Sequence, residues 1–298
     1  MAAPIKHVMH VVGARPNIMK LGPLWHEIEQ RGVVSQSIIH TGQHYDDPLS
    51  AELFEDFQLP APVANLGVGG LQPVKQFGEV ILRLADVLLQ NPPSLLMTYG
   101  DVRSTPASAI AAHHCGIPAA HYEAGLRAHN RIWPEEFHRV AADIYCDILF
   151  ATEPLAFENA RNERGSAAGI HLVGDLMCDA ARLVLERGIG KPSHKLPSGS
   201  YLVFTAHHTN NVDSKAGLER VLSVIEHSCL RLPVFFPMHP RTSKRIEEFG
   251  LSERLSSIRG LTVTGPVRYS IFMQLVTGAT AVLTDSGSLS VECAYLKK

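Results

Sequence analysis

Short apolar runs that end in polar or small residues and then give way to a helical pattern recur along the whole chain. His7–Val12 (HVMHVV) ends in Gly13-Ala14-Arg15-Pro16, and Asn17–Gln30 then carries apolar residues at helical spacing, with Pro23 the one discordant position. Val34–Ile39 ends in Thr41-Gly42-Gln43-His44-Tyr45 and leads to a short helix over Leu49–Phe57. Residues 58–72, rich in glycine and proline, read as a loop before an amphipathic helix over Lys75–Leu89. The runs Leu95–Tyr99, Pro118–Tyr122, Ile148–Ala151 and Ile170–Val173 continue the series, with a helix near Phe157–Arg164. Beyond residue 200 the pattern restarts at Tyr201–Thr205, Val234–Pro237, Leu261–Thr264 and Ala281–Thr284. Short apolar runs bounded by turn residues are buried strands, and strands alternating with helices form parallel sheets. The expected fold class is α/β, a doubly wound parallel sheet followed by a second α/β sheet. At 298 residues, 45% hydrophobic, the chain can bury the cores of two domains. The stretch Gly188–Ser200 (GIGKPSHKLPSGS) is the clearest shift in composition and a candidate boundary.

Composition removes several classes of function. A net charge of −2 provides no basic field for nucleic acid or an anionic membrane. No apolar run approaches the roughly 18 residues of a membrane span, and no signal peptide opens the chain. The five cysteines lack any CxxC pair and read as reduced thiols of a cytoplasmic protein. Sixteen histidines are present, but without HExxH or similar ligand spacing, so no metal site is expected. The first strand–helix turn lacks GxGxxG, so a dinucleotide fingerprint is missing too.

The chemistry concentrates between Tyr99 and Arg139, where Asp101, Glu123, Glu135 and Glu136 stand among Arg103, Arg127 and Arg139. Asp101 and Glu123 each follow an apolar run. If those runs are parallel strands, both acids emerge at one sheet edge, where open α/β sheets bind ligands. Paired acids beside cations suit proton transfer on an anionic substrate. Helix capping is the plainer use of the same residues. Thr105-Pro106 already reads as a cap and first-turn proline, which leaves Asp101 spare; for Glu135 and Glu136 the pattern leaves both uses open. Arg15 and Lys20 open the first helix with no acid in its first turn, an arrangement that a bound anion would relieve. The Ser286-Gly287-Ser288 turn is a second candidate anion nest, with Glu292 one turn on for ribose hydroxyls.

Taken in order, GARPNIMK, TGQHYD, YGD, HYEAGLR, PEEFHR, TAH…NNVD, PMHPRT and TDSGSLSVE resemble the non-hydrolysing UDP-N-acetylglucosamine 2-epimerases, from the first strand to the last residues. The resemblance implies a glycosyltransferase-B-like fold with two Rossmann-like domains facing across a cleft. Residues 1–170 would carry the acid/base groups and 171–298 the UDP-binding groups. The second domain reads as incomplete, because family members continue with further α/β units, and a partly exposed apolar face is expected near residues 281–296. The implied reaction interconverts UDP-GlcNAc and UDP-ManNAc by elimination and readdition of UDP, without NAD or another cofactor. Matched position by position, the family's acids fall on Asp101, Glu123 and Glu135, and a histidine near the leaving diphosphate on His207. Its sugar-phosphate cations fall on Arg15 and Lys20, with Arg139 a further substrate-binding cation. His239, Ser286, Gly287 and Glu292 match the UDP-holding end. A UDP-sugar is the implied partner, and a homodimer is compatible with the chain.

The chain departs from the family pattern at several positions. Asn17 replaces the glutamate of RPE, Val102 the threonine of GDT, and Arg103 a small polar residue. His207-His208-Thr209-Asn210-Asn211 lacks an arginine and a glutamate of the corresponding segment, and Ser288, Ser290 and Val291 depart from TDSGGxQEE. Without that arginine no allosteric response to UDP-GlcNAc is expected, although Gln43 and His44 remain. The departures keep three alternatives open: a hydrolysing epimerase, an epimerase for another UDP-sugar such as a diacetamido-uronic acid, and an impaired UDP-sugar-binding protein.

Overall fold

The computed structural model describes residues 5–43, 48–130, 132–188 and 198–298. The chain divides into two compact units, Met1–Ala180 and Ala181–Lys298. The first unit holds strands β1 (His7–Val12), β2 (Ser35–His40), β3 (Ala64–Asn65), β4 (Leu95–Tyr99), β5 (Ala119–Tyr122), β6 (Ile148–Ala151) and β7 (Ile170–Leu172). They form one sheet in the order β3-β2-β1-β4-β5-β6-β7, parallel at every pairing. The domain boundary expected between residues 170 and 171 falls inside β7, which is hydrogen-bonded to β6, and the first unit runs on to Ala180. Most of the boundary stretch Gly188–Ser200 lies outside the described residues, as does His44.

Three local differences from the sequence pattern have physical reasons. The helix Arg15–Arg31 runs unbroken through Pro23. One backbone bond is lost there, and the buried Ile18, Leu21 and Trp25 hold the helix against the sheet. The loop over 58–72 contains the two-residue strand β3, whose bonds come from its neighbour β2 rather than from any alternation of its own. Helix Ser104–His114 begins before Thr105, so Thr105 is not its cap; the Thr105 hydroxyl instead donates to Tyr99 O at 2.7 Å. Small buried residues (Ala107, Ala109, Ala111, Ala112) let this helix lie close to the sheet, and β4 is buried at every position.

The second unit holds β8 (Leu202–Thr205), β9 (Val234–Pro237), β10 (Leu261–Thr264) and β11 (Ala281–Thr284), a parallel sheet in the order β10-β9-β8-β11. Its edge strand β11 is half-buried throughout, and Val291 and Tyr295 on the following helix are exposed. Each sheet reverses its strand order once, at β1/β4 and at β8/β11. Ligands of open α/β sheets bind at the carboxyl ends of the strands at such reversals. Among the described residues no helix is long and apolar enough to cross a membrane.

Candidate active site

At the β1/β4 reversal the loops close on one another through glycine. A Cβ on Gly13 would come within 2.4 Å of Thr41 Oγ1 and 2.6 Å of Ser104 Oγ. Asn17, buried in the first turn of the helix after β1, accepts from Gly13 N and Ala14 N at 3.1 Å each and donates to Tyr99 O at 2.8 Å. A glutamate there would keep the first two bonds but set a carboxylate against the Tyr99 carbonyl. Asparagine instead ties the helix to the end of β4. Its signal in the sequence is a capping-type residue three positions after the helix start signal.

One turn further, the buried Lys20 pairs through Nζ with Glu123 Oε2. The acid missing from the helix's own first turn is supplied from outside it, because β5 delivers Glu123 from 103 positions away. Arg15 does open the helix, and the first turn carries no acid. Glu123 itself sits at φ +78°, in the left-handed region, where a non-glycine residue costs about 1–2 kcal/mol. That turn sends its carboxylate toward Gly100 at the end of β4: a Cβ on Gly100, which has φ +65°, would lie 3.0 Å from Glu123 Oε2 and 3.1 Å from Lys20 Nζ. Gly100 is therefore the floor on which carboxylate and ammonium rest. The next residue is Asp101, whose Oδ2 accepts from Arg139 Nη2 and whose carbonyl accepts from His138 Nδ1 at 2.7 Å. Asp101 and Glu123 keep 28% and 22% side-chain exposure, so both remain accessible to a ligand.

The two glutamates of the next helix, Pro134–Tyr145, separate by function. Glu136 is buried and accepts from Ala128 N at 2.8 Å and His129 N at 3.0 Å, which ties the preceding loop to the helix start. Glu135 is exposed, and no contact among the described residues links it to Asp101 or Glu123. Adjacent helical positions point about 100° apart, so only one of the two can serve the loop. Glu135 stands one turn before Arg139, on the same helix face.

At the β8/β11 reversal of the second unit, Asp285 organises the loop that carries His207. Its carboxylate accepts from His207 N at 3.1 Å, His208 N at 2.9 Å and Asn211 Nδ2 at 3.0 Å. Burial alone would raise this carboxyl, but the Asn211 bond and the two backbone amides hold it below the usual range. Asp285 is not among the residues that the sequence pattern singles out; its signal is its place directly after a strand, the place that Glu123 holds after β5. His207 stacks on His239, with ring centroids 5.6 Å apart. His239 Nδ1 accepts from Arg241 N, and its residue opens the helix Pro240–Glu248. Ser286 caps the helix Gly287–Leu296, accepting from Leu289 N, with Gly287 and Ser288 exposed beside it. Glu292 is buried and accepts from the Tyr269 hydroxyl at 2.5 Å. Of the expected residues, the structure thus gathers Lys20, Glu123, Asp101 and Arg139 in the first unit, and His207 and His239 in the second.

Two parallel α/β sheets, each with one reversal of strand order, define a Rossmann-like protein with carboxylates, cations and histidines near the reversals. A family model for UDP-N-acetylglucosamine 2-epimerase matches residues 26–298. A UDP-N-acetylglucosamine 2-epimerase homolog of Methanococcus maripaludis is 36% identical, over 97% of this chain and 81% of that protein. The UDP-2,3-diacetamido-2,3-dideoxy-D-glucuronate 2-epimerase of Pseudomonas aeruginosa is 33% identical, over 98% of this chain and 81% of that one. The crystal structure of Methanocaldococcus jannaschii UDP-GlcNAc 2-epimerase, in complex with UDP-GlcNAc and UDP, superposes with a TM-score of 0.87 at 32% identity, over 98% of this chain and 82% of that chain. The chain belongs to the UDP-N-acetylglucosamine 2-epimerase family.

Proposed function

We propose that this protein is a UDP-N-acetylglucosamine 2-epimerase, an isomerase that interconverts UDP-GlcNAc and UDP-ManNAc. The observation that carries this reading is the similarity, over nearly the whole chain, to the Methanocaldococcus jannaschii enzyme that binds UDP-GlcNAc and UDP.

The C2 proton of the sugar is weakly acidic, so departure of UDP must develop positive character at C1 while a base removes that proton. The unsaturated intermediate then takes a proton on its other face as UDP returns. Such a route needs two proton carriers and cations that hold UDP through both steps. Asp101 and Glu123 are the carriers in this reading, kept in place by Arg139 and Lys20. Arg15 at its helix N-terminus and Arg139 face the anionic portion of the substrate, and Glu135 is a third carboxylate beside Arg139. In the second unit, the helix start at Ser286 and Gly287 suits a diphosphate, Glu292 suits ribose hydroxyls, and His207 and His239 stand by the leaving group. The five free thiols agree with a cytoplasmic location. The exposed Phe137 and Ile144 on helix Pro134–Tyr145 offer an apolar stripe for a homodimer.

A second substrate has a specific observation behind it. The Pseudomonas aeruginosa diacetamido-glucuronate epimerase and the Methanocaldococcus jannaschii UDP-GlcNAc 2-epimerase are each 33% identical to this chain. Separate incubations with UDP-GlcNAc and with the UDP-diacetamido-glucuronate, followed by proton NMR, test both readings. UDP-ManNAc should appear in the first. Turnover in the second tube alone would move the substrate to the uronate, free ManNAc with UDP would mark a hydrolysing enzyme, and binding without turnover in either would refute an epimerase.

A further inference from the structure

Two histidines of the first unit are completely buried, and their partners demand opposite protonation. His10 on β1 lies between the Tyr99 hydroxyl, 2.7 Å from Nδ1, and the Gln36 side-chain oxygen, 3.1 Å from Nε2. A hydroxyl can donate and an amide oxygen only accepts, so one ring proton suffices. Burial pushes this histidine down to about 4, and it is neutral. His121 on β5 faces Asp143 Oδ1 at 2.7 Å with Nδ1 and the Gly100 carbonyl at 2.8 Å with Nε2. A carbonyl oxygen only accepts, and so does an ionised carboxylate. Both ring nitrogens must then carry protons.

The ionisation of Asp143 does not depend on His121 alone. Its other oxygen accepts from Gly125 N at 3.0 Å and from Arg127 Nη2 at 2.6 Å, and Arg127 is in turn bonded to Glu163. Burial by itself would raise the Asp143 carboxyl, but the bonds and charges of His121 and Arg127 hold it below the usual range. The result is a closed chain from Glu163 through Arg127, Asp143 and His121 to the carbonyl of Gly100.

We propose that His121 is a positioning residue for the epimerisation: as a buried imidazolium bonded at both nitrogens, it clamps the Gly100 carbonyl and thereby fixes Asp101 relative to Glu123. This rests on the reading of Asp101 and Glu123 as the proton carriers. Gly100 N already donates to Tyr122 O at 2.9 Å, so the clamp ties the second backbone polar group of the same residue to β5. His138 holds the next carbonyl, that of Asp101. A ring lacking its Nε2 proton would turn a lone pair toward the Gly100 carbonyl and push the turn outward. Misplacing a catalytic group by about 1 Å costs on the order of 10²-fold in rate.

The test has two arms. In the first, the protein is labelled with nitrogen-15 and carbon-13, and the His121 ring signals are assigned by through-bond correlation to the His121 backbone. Both ring nitrogens should carry protons at neutral pH; a ring with a single proton there overturns the proposal. This arm needs no turnover, so it stands apart from any failure of the epimerase reading. In the second, kcat and KM are measured for His121→Gln and for the double variant His121→Gln with Asp143→Asn. Glutamine spans the ring and can still donate to Gly100, but its oxygen then meets the Asp143 carboxylate. The single variant should lose about 10²-fold in kcat with little change in KM. The added asparagine donates to the glutamine oxygen while its own oxygen accepts from Gly125 N and Arg127. All bonds return without the charges, and most of the lost kcat should return with them. An unchanged kcat in the folded single variant, or equal losses in both folded variants, would contradict the clamp. If neither variant folds, the nitrogen signals of the parent protein decide.

Discussion

Asp101→Asn is expected to abolish exchange of the sugar C2 proton with solvent while leaving UDP affinity nearly intact. The amide keeps the shape of the side chain, and its oxygen can still accept from Arg139 as the Asp101 carboxylate does. What it cannot do is carry the proton. General acid–base help is worth about 10²–10⁴-fold per positioned group, so the loss should be at least of that order. Deuterium incorporation followed by NMR reads the exchange, and calorimetry reads UDP binding. Exchange within a few-fold of the parent rate would remove Asp101 from the proton path.

Glu123→Gln should lower both stability and turnover, and a second substitution should separate the two effects. The glutamate is the partner of a buried lysine, and removing it leaves the Lys20 ammonium unmatched. Breaking a fully buried pair costs about 3–5 kcal/mol; Glu123 is partly exposed, so the cost here should fall below that range. Each kcal/mol corresponds to about 2–4 °C in Tm for a unit of this size. Adding Lys20→Met removes the stranded charge, and the double variant should regain most of its Tm. Turnover should stay low in both, because neither has a carboxylate at this position. Thermal unfolding and a turnover assay on the same samples check this. Recovery of turnover together with Tm would mean that Glu123 serves only to balance the lysine.

How far the sequence foretells the structure depends on the range over which a contact acts. Leu95–Tyr99, Ile148–Ala151, Val234–Pro237, Leu261–Thr264 and Ala281–Thr284 lie at their expected bounds. Each is a short apolar run closed by turn residues, and both signals are local. Strand β3 has no such signal, since two residues show neither alternation nor a run. The site divides along the same line. Asp101 and Glu123 are legible because each follows a strand, and parallel strands bring their ends to one edge. The pairing of Lys20 with Glu123 and the hold of Asp285 on the His207 loop are not legible, because sheet order alone brings those residues together. The difference between Glu135 and Glu136 depends on helix phase, which one residue of uncertainty at the helix start erases. Asn17 reads as a loss when set against RPE, yet in place it joins the helix to β4 with a bond that a glutamate lacks.

In the proposed reaction UDP leaves and returns while the C2 proton passes through groups in exchange with water. Incubating the parent protein with UDP-GlcNAc in D₂O and following C2 by NMR tests it most directly. Deuterium should appear at C2 of both UDP-GlcNAc and UDP-ManNAc, with no nicotinamide added. Appearance of UDP-ManNAc that retains its original C2 hydrogen would contradict it.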